Sequence, residues 1–175
     1  MSNLILKPIT NDEDKNTFIN EIQEAFQMSY EAEFGKLDKP IIRSEDIEES
    51  FNAKGAEIYA AEIDGIKVGG TVIVINDKTG CNSVDLLYVK PYAQNSGNGY
   101  KIWKAIEELH PETSAWELYT PYFDKRNIHF YVNRLGFKIV EFFNPKHKDP
   151  HQTGDTVGNI PEENNYFFKF KKEMN

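Results

Sequence analysis

The spacing of apolar residues changes period several times along the chain, and each change marks an element. NLILKPI, residues 3–9, reads as a short strand, after which Thr10 and Glu13 form a capping box opening a helix with Phe18, Ile22, Ala25, Phe26 and Ser29 on one stripe. Gly35 and Pro40 break that stripe, and Ser44 is placed to cap a short second helix with Ile47 and Phe51 on one face. Three strand-like runs follow, AEIYAAEID, IKVGGTVIVIN and NSVDLLYVKP, separated by the hairpin signals DG and NDKTG. An antiparallel meander is expected there.

The pattern then alternates. A helix is predicted from about Asn98 to Leu109, stopped by His110-Pro111, then a strand AWELYT, a helix after Asp124, a strand FKIVEFF and a final strand YFFKFK. Strands alternating with helices imply a crossover and partly parallel pairing. The expected architecture is one α/β domain over residues 1–175, with a mixed, mostly antiparallel sheet of about seven strands flanked by about four helices. The polar stretch over residues 144–164, bearing Pro, Gly and His, is long for a loop in a compact domain, and such loops are usually functional or mobile.

Charge and cysteine content narrow the function classes. With 28 Asp and Glu against 20 Lys and Arg, the formal charge of -8 argues against a nucleic-acid footprint and suits a cationic ligand better. A lone cysteine, Cys81, excludes an internal disulfide, and no His or Cys cluster has zinc spacing, so no metal is expected. No apolar run approaches the roughly 20 residues of a membrane span. A cytoplasmic protein without membrane partners is the economical expectation.

The stretch AQNSGNGYK, residues 93–101, joins the last meander strand to the helix at Asn98. Without Cβ atoms, Gly97 and Gly99 let the backbone turn tightly and present N–H groups, and the helix adds its free N-terminal N–H groups and dipole. Together these suit a phosphate. A phosphate loop would need Lys and then Ser or Thr after the second glycine, and the dinucleotide fingerprint would need a third glycine where Ile102 stands; neither is present.

What fits is the order of elements. LYVKPYAQNSGNG resembles motif A of the GNAT superfamily of N-acetyltransferases, in which a strand ending V-x-P leads into Q/R-x-x-G-x-G/A; Gln94, Gly97 and Gly99 occupy the fixed positions. NIHFYVNRLGF, from Asn127 to Phe137, is similar to the family's next block, where an Asn opens a helix, a Tyr follows and Gly-Phe starts a strand. The likeness covers about residues 4–143 and the last strand. It implies acetyl-coenzyme A as co-substrate. The pyrophosphate would lie on the backbone of Gln94, Asn95, Ser96, Gly97, Asn98, Gly99 and Tyr100, and the pantetheine arm along Leu87, Tyr88 and Val89 with Asn127 as an anchor.

The resemblance also implies roles in the transfer, which needs a neutral amine, a polarised thioester carbonyl and a proton for the departing thiolate. Tyr131 corresponds to the tyrosine that protonates the sulfur, Asp85 to the carboxylate some relatives use as base through water, and a backbone N–H near Leu87 to the group that polarises the carbonyl. An apolar stripe of Ile128, Tyr131, Val132 and Leu135 gives Tyr131 an equally ordinary place in the core. Tyr131 also stands five residues before Gly136, where the family usually has four, and one extra residue turns a helical side chain by about 100°.

The expected partner is a small amine, with a cationic one favoured by charge. Glu21, Glu24, Glu31, Glu33, Glu48 and Glu49 could attract it, and Phe26, Tyr30, Phe34 and Tyr122 could line its cavity. The competing reading is a coenzyme A-binding sensor or interaction module without catalysis. Tyr166, Phe168 and Phe170 of the last strand leave a homodimer open.

Overall fold

The structure, a computed structural model, describes residues 3–150 and 165–175. It is built from β1 (Leu4–Pro8), α1 (Asp12–Phe34), α2 (Ser44–Phe51), β2 (Ala56–Ile63), β3 (Ile66–Val74), β4 (Cys81–Val89), α3 (Asn98–Leu109), β5 (Ala115–Pro121), α4 (Lys125–His129), β6 (Lys138–Phe143) and β7 (Phe167–Glu173). The sheet has seven strands in the order β1-β2-β3-β4-β5-β7-β6. Every pairing is antiparallel except β4 with β5.

Each element forms where the apolar periodicity placed it, with small shifts at the caps. Asn11, not Thr10, caps α1, accepting the Asp14 N–H at 2.8 Å, and Ser44 is the first residue of α2 rather than its cap. So α1 starts one residue later and α2 one residue earlier than the capping pattern alone suggests, a shift of the size usual at helix ends. Most of the 144–164 loop, with His151, falls outside the described residues. None of the helices in the described residues is long and apolar enough to cross a membrane.

Two apolar layers sandwich the sheet. Phe18 and Ile22 of α1 and Ile47 of α2 cover one face, where Phe18 meets Phe51 and Tyr88 edge to face at 5.3 and 5.0 Å. The other face is covered by Trp103 of α3, which packs on Trp116 at 5.5 Å and Phe137 at 5.2 Å, with Phe170 of β7 beneath. β7 is an interior strand paired on both sides, so Phe170 serves this core and the sheet edge is β6.

Two irregularities shape the functional end. Val72 pairs with Leu86 but Ile73 with Val84, so Asp85 is the extra residue of a bulge in β4. The bulge sends Val84 to the α3 side and Leu86 to the α1 side, although the two are only two residues apart. β4 also pairs with β5 only over Cys81–Ser83 and Ala115–Glu117, after which the strands part and β5 continues along β7 alone. From Val84 to Val89, β4 has no neighbouring strand on that side.

At the opposite end of α3, His110 lies between Glu112 and Glu57, 2.9 and 2.8 Å from their carboxylates, and the Tyr59 hydroxyl donates to Glu57. Burial alone would lower the His110 pKa, but its hydrogen bonds to Glu112 and Glu57 outweigh that and hold it above the ordinary value. A pKa raised by folding contributes stability fully below the unfolded value of about 6.5 and loses it as the pH rises through the folded value. His110→Gln should therefore cost about 1 kcal/mol, discounted for partial exposure, near pH 5.5. The loss in Tm against wild type, roughly 3 °C there, should shrink as the pH rises above the ordinary histidine value and through the raised folded one; a pH-independent difference in thermal melts would show that the imidazole acts by packing alone.

Candidate active site

Where β4 and β5 part, a cleft of about 670 Å³ opens between α1, the end of β4, the turn before α3, and α4. Leu87, Tyr88 and Val89 form its floor. The side chains of Leu87 and Val89 point to the α3 side and Tyr88 to the α1 side, as strand alternation requires, so the backbone groups between them face the gap.

The turn is held from several directions. Gly97 caps α3 with φ +78 and no side-chain cap, a left-handed conformation that glycine adopts without strain. Asn95, at φ 63, is the other left-handed residue of the turn. The Gln94 amide donates to the Val89 carbonyl at 3.1 Å and accepts from Arg126 Nη1 at 2.8 Å, while the Asn98 amide donates to the Ala93 carbonyl at 2.8 Å. The first bond of α3 runs from the Lys101 N–H to the Gly97 carbonyl at 3.1 Å, so the N–H groups of Asn98, Gly99 and Tyr100, which line the cleft, have no partner within the helix. A Cβ at Gly99 would lie 3.2 Å from the Phe130 ring, so a larger residue there needs that ring to shift by a few tenths of an ångström.

Gln94, Asn95, Gly97, Asn98, Gly99, Tyr100 and Asn127 all line this cleft together with Leu87, Tyr88 and Val89. Ser96, Tyr131 and Asp85 do not. Ser96 is exposed, with its hydroxyl on the Gln94 carbonyl.

Tyr131 is buried behind residues that line the cleft and is not itself part of the lining. After His129 the helix continues as a π-helical turn over Phe130–Arg134, in which the Leu135 N–H reaches the Phe130 carbonyl at 3.1 Å. That turn takes up the extra residue before Gly136. Asn127, Phe130 and Arg134 then face the cleft, and Tyr131 turns inward against Phe137 and Phe170 at 5.7 and 6.0 Å. Burial, with the Asp124 carboxylate nearby, raises its pKa.

Asp85 is likewise away from the cleft. As the bulged residue of β4 it accepts the Ser83 hydroxyl at 2.9 Å. Its side chain keeps contact with solvent, yet crowding around the bulge raises its pKa, against hydrogen bonds from Ser83 and Ser50 that lower it.

The acidic residues of α1 also stay outside. Glu21 receives the Tyr88 hydroxyl at 2.6 Å and lies 3.4 and 3.3 Å from the ammonium groups of Lys67 and Lys90. Burial first, and then the Glu21 carboxylate, push the Tyr88 phenol well above its ordinary pKa, so it remains a donor. Glu31 binds Gln27 and the Leu37 N–H. Of the four expected aromatics only Phe26 lines the cleft: Tyr30 and Phe34 pack on Phe123, and Tyr122 on Phe142, Tyr166 and Phe168.

Several cleft residues were not anticipated. Arg126 and Arg134 supply its guanidinium groups, and Asp124 is the one carboxylate on its wall among the described residues. Asp124 caps α4, accepting the Asn127 N–H at 3.1 Å and the Asn127 amide at 2.9 Å, and burial raises its pKa. DKRN gives a helix cap in sequence; that the cap also faces a cleft depends on α1, more than ninety residues upstream.

Known proteins share this fold. Residues 19–137 match the family model described as Acetyltransferase (GNAT) family. The uncharacterized protein YrkN of Bacillus subtilis (strain 168) is 43% identical over 173 residues, covering 97% of this chain and 94% of its own. A Bacillus subtilis acetyltransferase solved in complex with CoA superposes over 100% of both chains with a TM-score of 0.65 at 17% identity. The spermidine N-acetyltransferase from Vibrio cholerae, in complex with CoA and spermine, gives a TM-score of 0.69 at 13% identity over 98% of this chain and 96% of that one. These two likenesses show the fold, and with the family match over most of the sequence they lead to one conclusion: the chain belongs to the acetyltransferase (GNAT) family.

Proposed function

We propose that the protein is an N-acetyltransferase that moves an acetyl group from acetyl-coenzyme A to an amine by direct attack within a ternary complex. The observation that carries this reading is the unpaired edge of β4 from Val84 to Val89, which runs into the uncapped N-terminus of α3 at Gly97. An extended, amide-bearing arm pairs with such an edge as an added strand, and a pyrophosphate suits the free N–H groups at its end. Arg126, fixed by Gln94, adds a positive charge beside the turn. When bound, acetyl-coenzyme A supplies the thioester carbonyl; the backbone N–H groups of the β4 edge, near Leu87, orient and polarise it. Asn127, held by Asp124, sits across the cleft as a partner for the arm.

Gly97→Glu tests the cradle. No atom lies within 4 Å of the site a Cβ would take, so the variant should fold, at a cost of roughly 1 kcal/mol for a left-handed side chain. Its carboxylate would face the pyrophosphate, and calorimetric titration should show affinity for acetyl-coenzyme A reduced about 100-fold or more. Equal affinity in the folded variant would remove the turn from the binding site.

The inward position of Tyr131 favours a second reading, a coenzyme A-binding module without turnover. Release of free thiol in the presence of an amine panel separates the two. If the protein turns over, Tyr131→Phe should lower kcat by less than about threefold, because the ring serves the core; a general acid would cost 100-fold or more. A loss of that size with unchanged acetyl-coenzyme A affinity would show that the hydroxyl reaches the sulfur.

A further inference from the structure

The wall opposite the β4 edge is one face of α1. Ala25, Met28, Ser29 and Ala32 recur at helical spacing along the cleft, with Phe26 beside them. None carries a charge. The glutamates of the same helix turn elsewhere, Glu21 to Lys67, Lys90 and Tyr88, and Glu33 to Lys125 at 4.0 Å.

Against this apolar wall stands one carboxylate. Phe123 seats on Tyr30 and Phe34 of α1 at 5.2 and 5.5 Å, which brings the next residue, Asp124, to the cleft where α1 and α4 meet. Among the described residues, the other titratable groups on the lining are Arg126 and His129 of α4, Arg134 of the π-helical turn, Tyr88 of β4 and Tyr100 of α3, and α1 contributes none. Both Asp124 oxygens take a bond from Asn127, yet a carboxylate accepts about four hydrogen bonds, which leaves it capacity for an ammonium. A second ammonium on the same ligand would find either apolar helix or the guanidinium groups of Arg126 and Arg134.

We infer that the acceptor is a primary monoamine carried on an apolar body, with its single ammonium held by Asp124 and its body against the α1 wall, and that polyamines are disfavoured. The inference rests on the acetyltransferase reading and adds the substrate class. It also narrows what net charge suggests, from a polycation to a single ammonium, because among the described residues Asp124 alone of the acidic side chains lines the cleft.

The test compares the full chain with 2-phenylethylamine and hexylamine against putrescine and spermidine, following thiol release at saturating acetyl-coenzyme A. The monoamines should have a kcat/KM at least about tenfold higher, the worth of one charged hydrogen bond without the penalty of a stranded second charge. Asp124→Asn, which keeps a capping side chain, should raise the monoamine KM about 10- to 100-fold with a smaller effect on kcat, and because Asp124 also holds Asn127, acetyl-coenzyme A affinity should fall by clearly less than the monoamine KM rises. Ala32→Glu, at an exposed position on the α1 wall, should shift preference toward the diamine. Polyamine turnover equal to or above that of the monoamines would overturn the inference, as would an unchanged KM in folded Asp124→Asn; turnover of no amine by a protein that binds acetyl-coenzyme A would overturn the acetyltransferase reading in favour of the module without turnover. Failure of the wild type to bind acetyl-coenzyme A would instead overturn the underlying reading and the inference with it.

Discussion

The parting of β4 from β5 is the constraint on which the site depends. Backbone N–H and C=O groups inside a sheet are normally paired, and leaving a run of them open costs free energy unless water or a ligand takes them up. Here the two strands hold only three residue pairs, with β5 kept in place by its seven pairs to β7. The crossover through α3 is held by Trp103 between Trp116 and Phe137. The gap is thus a property of rigid elements, and it presents a strand edge where a ligand can reach it.

Other features of the cleft follow from that geometry. The Asp85 bulge switches which face of the sheet Val84 and Leu86 serve, so both cores remain filled while β4 bends out of register. Gln94 ties the turn to the last carbonyl of β4 and to Arg126 of α4, linking three elements through one amide. The π-helical turn admits one residue more than an α-helix would, and which ring meets the cleft, Phe130 or Tyr131, is decided there. Electrostatics are local as well: in a chain of net charge -8, the described residues of the cleft lining include two arginines and one aspartate.

Much of the fold was legible in the sequence, because apolar period and turn chemistry are local. The meander, the limits of α3 and the single parallel crossover follow from the alternation in residues 56–91, the glycines at 97 and 99, and the Pro after His110. The cradle could be read for the same reason: glycine where a backbone must turn left-handed and expose N–H groups is a local requirement, and Gly97 meets it. Side-chain roles were less accessible. The roles expected of Tyr131 and Asp85 rest on the family resemblance, and each sits at a point where its element departs from regularity, a π-turn and a bulge, so that local pattern does not fix where its side chain points.

The sequence by itself therefore determined the order and type of the elements, the glycine turn before α3 and the membership of the family, since these depend on contacts between residues close in the chain. Only the tertiary structure decided which groups share the cleft. Asp124 reaches it because Phe123 packs on α1, Arg126 is oriented by a glutamine 32 residues away, and Glu21 is withdrawn by lysines of β3 and the end of β4. The reason is physical: packing between distant segments sets the direction in which a side chain points, and a one-residue change in helix or strand register is enough to move a functional group from the cleft into the core.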